Sequence, residues 1–245
     1  MSTSSDAPST DDDERRPRRQ VWGRRQGPKL RPGRRRLLDE RLPDLSVTLP
    51  EQGRLDPQAL FGPGERPVWL EIGFGGGEHL AAQAEAHPEV GLIGVEPFVT
   101  GVARLLSLVE ERGLGNVRVL ADDARLLLAA LPDASIERAF VLFPDPWPKA
   151  RHHKRRIVNR ATLAEMARVM RPGAELRLAT DDPDYARWML EAALAEPRLD
   201  WLAERAADWR ERPTDWPPTR YEAKAITAGR RPAFLRFRRR PRTSA

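Results

Sequence analysis

The sequence predicts an α/β protein built on a doubly wound, mostly parallel sheet with helices on both faces. Three observations carry this. Apolar runs of strand length alternate with stretches of helical period from Pro67 to about Ala192. Glycines cluster directly after the first of these runs, at Gly73, Gly75, Gly76 and Gly77. Acids recur at the carboxyl ends of successive runs: Glu71, Glu96, Asp123, Asp145 and Asp181. Ligands of open α/β sheets bind at that edge, where the strand order reverses.

Each element has its own local reason. Residues 1–45 are poor in large apolar side chains and rich in Ser, Asp, Pro and Arg. Such a segment cannot offset its ordering entropy, so it is expected as a disordered arm, with one domain over 46–245 and order setting in near Leu55. Pro67–Gly73 reads as a buried strand. A helix from Gly77 to Ala86 follows and stops before Pro88. Val90–Glu96 is a second strand. Phe98, Val102, Leu105 and Val109 mark a helix that Gly113 ends. Val117–Leu120 is a third strand, and Asp123 caps a short helix to Leu131. Ile136–Phe143 is a fourth strand. A helix over Ile157–Arg171, closed by Pro172-Gly173, leads to a fifth strand at Glu175–Ala179. Asp182-Pro183 then starts a helix with an Asp cap and Pro at its first position, lined by Tyr185, Trp188, Met189 and Ala192.

Composition narrows the function. The formal net charge is +6, but its distribution matters more than its sum. Twelve Lys/Arg lie between Arg15 and Arg41, and seven Arg with no acid lie between Arg230 and Ala245. Separated basic runs point to nucleic acid, because each phosphate contact releases counterions. The chain has no Cys, which excludes a disulfide framework and a Cys-based zinc site, and its four His lack ligand spacing. No metal is expected. No apolar run approaches the ~20 residues that span a bilayer, and no signal-peptide core is present, so a cytoplasmic protein is expected.

The fourth strand delivers Phe143-Pro144-Asp145-Pro146-Trp147-Pro148-Lys149, followed by Arg151-His152-His153-Lys154-Arg155-Arg156. Two prolines hold Asp145 on a stiff, non-helical turn beside a basic patch, a good place to present a reactive group to a polyanion. Glu71-x-Gly73-x-Gly75-Gly76-Gly77 lets backbone and ligand approach closely. The dinucleotide fingerprint would put glycine at 78, where Glu78 stands. Glu96, nineteen residues after Gly77, is placed to accept the hydroxyls of a ribose. Asp123 is placed to accept from an adenine amine; its neighbour Asp122 leaves the register open by one.

The spacing Glu-x-Gly-x-Gly-x-Gly resembles the first motif of S-adenosylmethionine-dependent methyltransferases. The segments 143–149 and 151–156, Ala179-Thr180-Asp181 and Thr219-Arg220-Tyr221-Glu222, with Gly229-Arg230 after it, resemble the signature of the bacterial tRNA (guanine-N7)-methyltransferase family from about Leu70 to Phe237. The resemblance implies a Rossmann-like class I methyltransferase fold. It implies S-adenosyl-L-methionine as methyl donor and N7 of the variable-loop guanosine, position 46 of tRNA, as acceptor. Glu71, the loop glycines Gly73, Gly75 and Gly77, Glu96, Asp123 and Asp145 would contact the donor or shape its pocket, and Asp145 would be catalytic. Lys149, Asp181, Thr219, Arg220, Tyr221 and Glu222 would bind the guanosine. Arg151, His152, His153, Lys154, Arg155 and Arg156 would bind the tRNA, with the protein a monomer or homodimer without an obligate protein partner. Asp145 could act electrostatically or by fixing the guanine; the sequence leaves both open. Rival readings are a methyltransferase with another RNA target, a nicotinamide-dependent oxidoreductase, and a non-catalytic RNA-binding module.

Overall fold

The computed structural model describes residues 25, 27 and 30–241. Among the described residues one sheet of seven strands runs β3-β2-β1-β4-β5-β7-β6. The strands are β1 (Val68–Ile72), β2 (Gly91–Val95), β3 (Val117–Leu120), β4 (Ile136–Leu142), β5 (Met170–Thr180), β6 (Leu199–Trp201) and β7 (Ala233–Arg239). The first five are mutually parallel, and β7 runs antiparallel between β5 and β6. The order reverses between β1 and β4, which opens a crevice at their carboxyl ends.

The helices are α1 (Pro32–Glu40), α2 (Leu42–Leu45), α3 (Glu78–Ala86), α4 (Val99–Arg112), α5 (Ala124–Ala130), α6 (Arg160–Val169), α7 (Pro183–Leu194), α8 (Ala207–Arg210) and α9 (Arg220–Thr227). Alternation along β1 divides the core. Val68, Leu70 and Ile72 pack with Leu127, Leu163, Met166 and Met189 on one face. Trp69 packs with Leu80, Val102, Leu105 and Phe140 on the other. A five-residue strand buried throughout, as β1 and β2 are, is what a parallel sheet covered on both faces demands. No described helix is long and apolar enough to cross a membrane.

Local signals hold where a cap or glycine sets them. Asp123 accepts from the Arg125 N–H, Asp182 accepts from the Tyr185 N–H behind Pro183, and Gly113 ends α4 in the left-handed region at φ 65°. Three expectations are corrected. The arm expected over 1–45 is helical from Pro32 onward: Leu37 and Leu45 are buried on the α4 side of the sheet, and the Val47 N–H donates to the Val119 carbonyl along the edge of β3. Two leucines suffice there because they cover an existing core rather than build one; residues 1–24 of the expected arm lie outside the described residues. The helix expected to run to Arg171 stops at Val169, and Pro172-Gly173 lies inside β5, where the pairing with β4 jumps from Met170 opposite Ile136 to Glu175 opposite Arg138. The pair thus forms an irregularity in the ladder rather than a helix stop. The C-terminal basic run is largely β7 itself. Arg236 pairs with Glu175 at 2.5 Å, Arg240 with Asp200 at 2.7 Å, and buried Arg239 donates to the Ala167 carbonyl. These arginines serve the fold before any polyanion.

Candidate active site

The reversal point holds a cavity of about 360 Å³. Its walls come from the β1 glycine loop, the ends of β2 and β3, the turn after β4, the basic segment beyond that turn, and Tyr221 of α9. The glycine loop is shaped by backbone geometry. Gly73, Gly75 and Gly77 have φ of 73°, 57° and 79°, where a side chain would be strained. The approach is close: a Cβ on Gly101 of α4 would lie 2.2 Å from the Gly75 carbonyl oxygen.

Glu96 lines the cavity and is held by the loop it faces. The Gly75 N–H donates to Oε2 at 2.8 Å and the Phe98 N–H to Oε1 at 2.9 Å. Each oxygen keeps a lone pair for a further donor. Burial raises its pKa above the ordinary value; the two backbone N–H groups oppose this, and the charges of Asp145 and Glu71 add to it. Asp123 also lines the cavity, with its carboxylate clasped by the Arg125 guanidinium. Asp122 instead bonds Arg25 at 2.6 Å, so Asp123 is the acid that faces the cavity.

Glu71 does not line this cavity. Its carboxylate is buried on the α3 side, 2.7 Å from His79 Nδ1. Gln83 extends that contact to the Asp215 carbonyl at 3.4 Å, and buried Arg177 bonds the Asp215 carboxylate at 2.6 Å. The network pins the segment that leads into α9 beneath the glycine loop.

The Pro-Asp-Pro turn is strained at both ends. Phe143 and Trp147, the residues that bracket it, adopt φ of 51° and 47° without being glycine. The Phe143 N–H is fixed by the Ala179 carbonyl at 2.8 Å. Asp145 stands at the cavity mouth, open to solvent on one side. Desolvation on the other pushes its pKa up, and no donor among the described residues bonds its carboxylate.

Arg156 holds this turn from below. It is 1% exposed, donates from Nε to the Pro146 carbonyl at 2.8 Å and bonds Asp184 at 2.5 Å. Its guanidinium lies 4.8 Å from the Tyr185 ring and 5.1 Å from that of Trp188. Its expected place among tRNA-binding residues is therefore corrected: a buried, fully enclosed guanidinium cannot grip a phosphate. The rest of the basic run lies on a 3-10 turn, Ala150–Arg155. Lys149, Arg151 and Lys154 are exposed there, and Arg155 stacks at 4.9 Å over Trp147. His152 meets the Trp147 ring edge-on, while His153 packs on Trp188.

The four residues expected from 219–222 start α9. Thr219 caps it by accepting from the Glu222 N–H, and Glu222 is buried and bonds Arg212 at 3.0 Å. Arg220 approaches Glu78 at 3.9 Å. Tyr221 is 42% exposed and leans over the loop, so close that a Cβ on Gly75 would lie 3.0 Å from its ring. Asp181 pairs with Arg230 at 2.6 Å instead of standing free. The structure thus brings Gly73, Gly75, Glu96, Asp123, Asp145, Lys154, Arg155, the buried Arg156 and Tyr221 around one cavity. Glu71, Lys149, Asp181 and Glu222 lie outside its walls. His79 and the support by Arg156 had no signal in the sequence: His79 meets Glu71 only because the glycine loop folds α3 back beside β1, and Arg156 depends on Asp184, 28 residues away.

A reversal-point cavity between a glycine loop, a strand-end glutamate and a carboxylate on a rigid turn is the cofactor site of a Rossmann-like fold, and the comparison with known families makes it a methyltransferase. A family model described as a putative methyltransferase matches residues 65–235. The tRNA (guanine-N(7)-)-methyltransferase of Rhodospirillum rubrum is 55% identical over 226 residues, covering 91% of this chain and 89% of that one. Those of Nitrobacter hamburgensis and Ruegeria pomeroyi are 52% and 51% identical, covering 89% and 91% of this chain and 86% and 96% of their own. The chain belongs to the tRNA (guanine-N(7)-)-methyltransferase family.

Proposed function

We propose that this protein transfers the methyl group of S-adenosyl-L-methionine to N7 of the variable-loop guanosine, position 46, of tRNA. The observation that carries the reading is the Asp145 carboxylate, unbonded among the described residues and set on a doubly strained turn at the mouth of a cavity floored by glycines. The cavity suits the donor. Glu96 has two oxygens oriented by backbone N–H groups and ready for ribose hydroxyls, Asp123 is placed for the adenine amine, and Gly73 and Gly75 leave room that side chains would fill. Gly77 shapes the loop, and Glu71 supports it through His79. When bound, the donor supplies an electrophilic sulfonium methyl.

The chain's own residues then have limited work. Guanine N7 is an acceptor with a lone pair and no proton, so no general base is required. Positioning and electrostatics remain. Asp145 faces the purine ring as it turns positive and favours that charge. Tyr221 and Arg220, on the exposed start of α9, hold the base against the glycine loop, with Thr219 and Glu222 fixing that turn. Asp181, steered by Arg230, and Lys149 flank the acceptor; Arg151, His152, His153, Lys154 and Arg155 contact tRNA phosphates and sugars.

The test is methyl transfer from labelled S-adenosylmethionine to unmodified tRNA, followed by borohydride–aniline cleavage, which breaks the chain at N7-methylguanosine. A cut in the variable loop is expected. Label without that cut would discard the N7 target, and absence of label would discard the activity.

A further inference from the structure

A second, larger cavity of about 1060 Å³ lies farther along the same sheet edge, between α7, α8, α9 and the ends of β5, β6 and β7. None of the residues expected to bind donor or guanosine had placed a ligand there, though Glu222 reaches its wall. Leu190, Trp201, Trp209 and Ile226 give it an apolar wall. Ile226 is 59% exposed, high for an isoleucine. The rim carries arginines. Arg210 lies 4.8 Å from the Trp209 ring, and Arg187 and Arg231 are exposed and form no ion pair among the described residues.

The two cavities share a wall. Tyr221 lines the smaller one and Glu222, the next residue, lines the larger. Glu222 and Ile226 are four apart on α9 and present one face to the groove. The partition is thus a single helical turn, the one proposed to hold the target guanosine. A base held by Tyr221 at the mouth of the first cavity has the second cavity on the other side of the same helical turn.

We infer that this groove binds an RNA nucleotide adjacent to the methylated guanosine, with its base against the Trp201–Trp209 wall and its phosphates on Arg187 and Arg231. The inference rests on the tRNA reading and extends it to a second subsite. Charge complementarity favours RNA: a rim of arginines around aromatic rings is the composition that binds unpaired nucleotides, through phosphate contacts and stacking. Tryptophan and arginine also suit a protein interface, but this groove is continuous with the mouth of the first cavity through Tyr221 and Glu222, which favours a neighbouring nucleotide of the same RNA.

Two full-length variants test it, both altering exposed side chains: Arg187→Ala/Arg231→Ala and Ile226→Glu. Tight binding of S-adenosylhomocysteine, measured by calorimetry, reports an intact fold and donor cavity. For the double variant, tRNA affinity is expected to fall roughly tenfold and the slope of log K against log salt to drop by about 2, one per lost phosphate contact. For Ile226→Glu, a comparable loss of affinity is expected, with turnover at saturating tRNA kept within about threefold, since the groove positions a neighbour of the reacting base. Unchanged affinity and slope in variants that still bind S-adenosylhomocysteine would overturn the subsite. So would a shift in molar mass by light scattering without loss of tRNA affinity, which would make the groove a contact between copies. If wild type itself neither binds nor methylates tRNA, the functional reading fails first; if wild type methylates normally and only the groove variants are silent, this inference alone fails.

Discussion

Replacing Asp145 by Asn keeps the shape of the turn and removes one charge. The guanidinium support, the two prolines and the positive φ at Phe143 and Trp147 all remain, so the variant isolates electrostatics. A unit charge about 4 Å from the developing purine cation is worth about 1 kcal/mol at the dielectric of water and about 4 kcal/mol at an effective dielectric near 20. Asp145 lies between these limits, open on one side and desolvated on the other. The expected loss in the chemical step is therefore roughly 5- to 1000-fold. Single-turnover methyl transfer, with enzyme in excess over tRNA and saturating donor, reads that step without product release. A rate within about twofold of wild type would refute the electrostatic role. A large loss at one pH with an unchanged profile would assign Asp145 to holding the base.

The pH profile gives the second half of the test. Desolvation raises Asp145, and both burial and the charge of Asp145 raise Glu96. The wild-type rate should thus decline on acidification at a pH above the ordinary aspartate value of 3.8, and the Asn variant should lack that limb. Removing Asp145 also relieves Glu96, so donor affinity in the variant should persist to lower pH than in wild type. The stability sign is opposite to that of a salt-bridged carboxylate. A folded pKa above the unfolded one contributes stability below the unfolded pKa, and that contribution is lost as pH rises through the folded one. Asp145→Asn should therefore melt higher than wild type near neutral pH, with the gap closing in acid. A variant that melts lower at neutral pH would mean that the carboxylate has a stabilising partner.

Three further outcomes are expected. Gly101→Ala drives a Cβ into the Gly75 carbonyl at 2.2 Å; an overpacking cost of about 1–3 kcal/mol should appear as weaker donor binding by calorimetry, and full affinity would show that the loop is free to retreat. Arg156→Met removes a charged hydrogen bond from the Pro146 carbonyl, worth about 1.5–3 kcal/mol. Its kcat should fall while the salt slope of tRNA binding stays at the wild-type value; a reduced slope would return Arg156 to the RNA surface. Truncation before residue 31 removes the exposed Arg25–Asp122 pair and the Val99 N–H bond to the Arg25 carbonyl and should cost at most about 1–2 kcal/mol, whereas truncation through residue 45 also strips buried Leu37 and Leu45 and should cost roughly 3–6 kcal/mol more, at about 1.5–3 per leucine. Equal midpoints for the two truncations would show that α1 and α2 contribute nothing.

What was legible in the sequence was local or periodic. β1 and β2 announce themselves as apolar runs because each is covered on both faces, and β3, β4 and the second half of β5 keep enough buried positions to read as strands. Asp123, Asp182 and Gly113 are cap signals whose geometry is set within three or four residues. The Pro-Asp-Pro turn is legible for the same reason, since proline imposes its constraint on adjacent residues. The illegible parts depend on partners far along the chain. β7 reads as a basic tail until Glu175 and Asp200 are brought beside it. Arg156 belongs to a run of surface cations by sequence, and only the approach of Tyr185, Trp188 and Asp184 turns it into a support. Glu71 stands at a motif position, yet its carboxylate is buried against His79 and does not line the cavity.

The same distinction explains how one enzyme joins two binding problems. On the proposed reading the donor walls come from residues 73–145, where local glycine and strand-end signals dominate. The acceptor wall then comes from the last quarter, which reaches the cavity because β7 returns antiparallel beside β5. That return carries the segment before it, residues 207–232, across the carboxyl edge. Trp216 is buried against Phe234 there, and Arg177 clasps Asp215, so the segment is anchored at its middle. α9 then starts over the glycine loop, with Tyr221 against Gly75 and Arg220 near Glu78. The proposed donor and acceptor sites thus meet across one helical turn, behind which buried Glu71, His79 and Gln83 reach the backbone carbonyl of exposed Asp215. On that reading, a glycine loop that moved to admit the donor would meet the Tyr221 ring first.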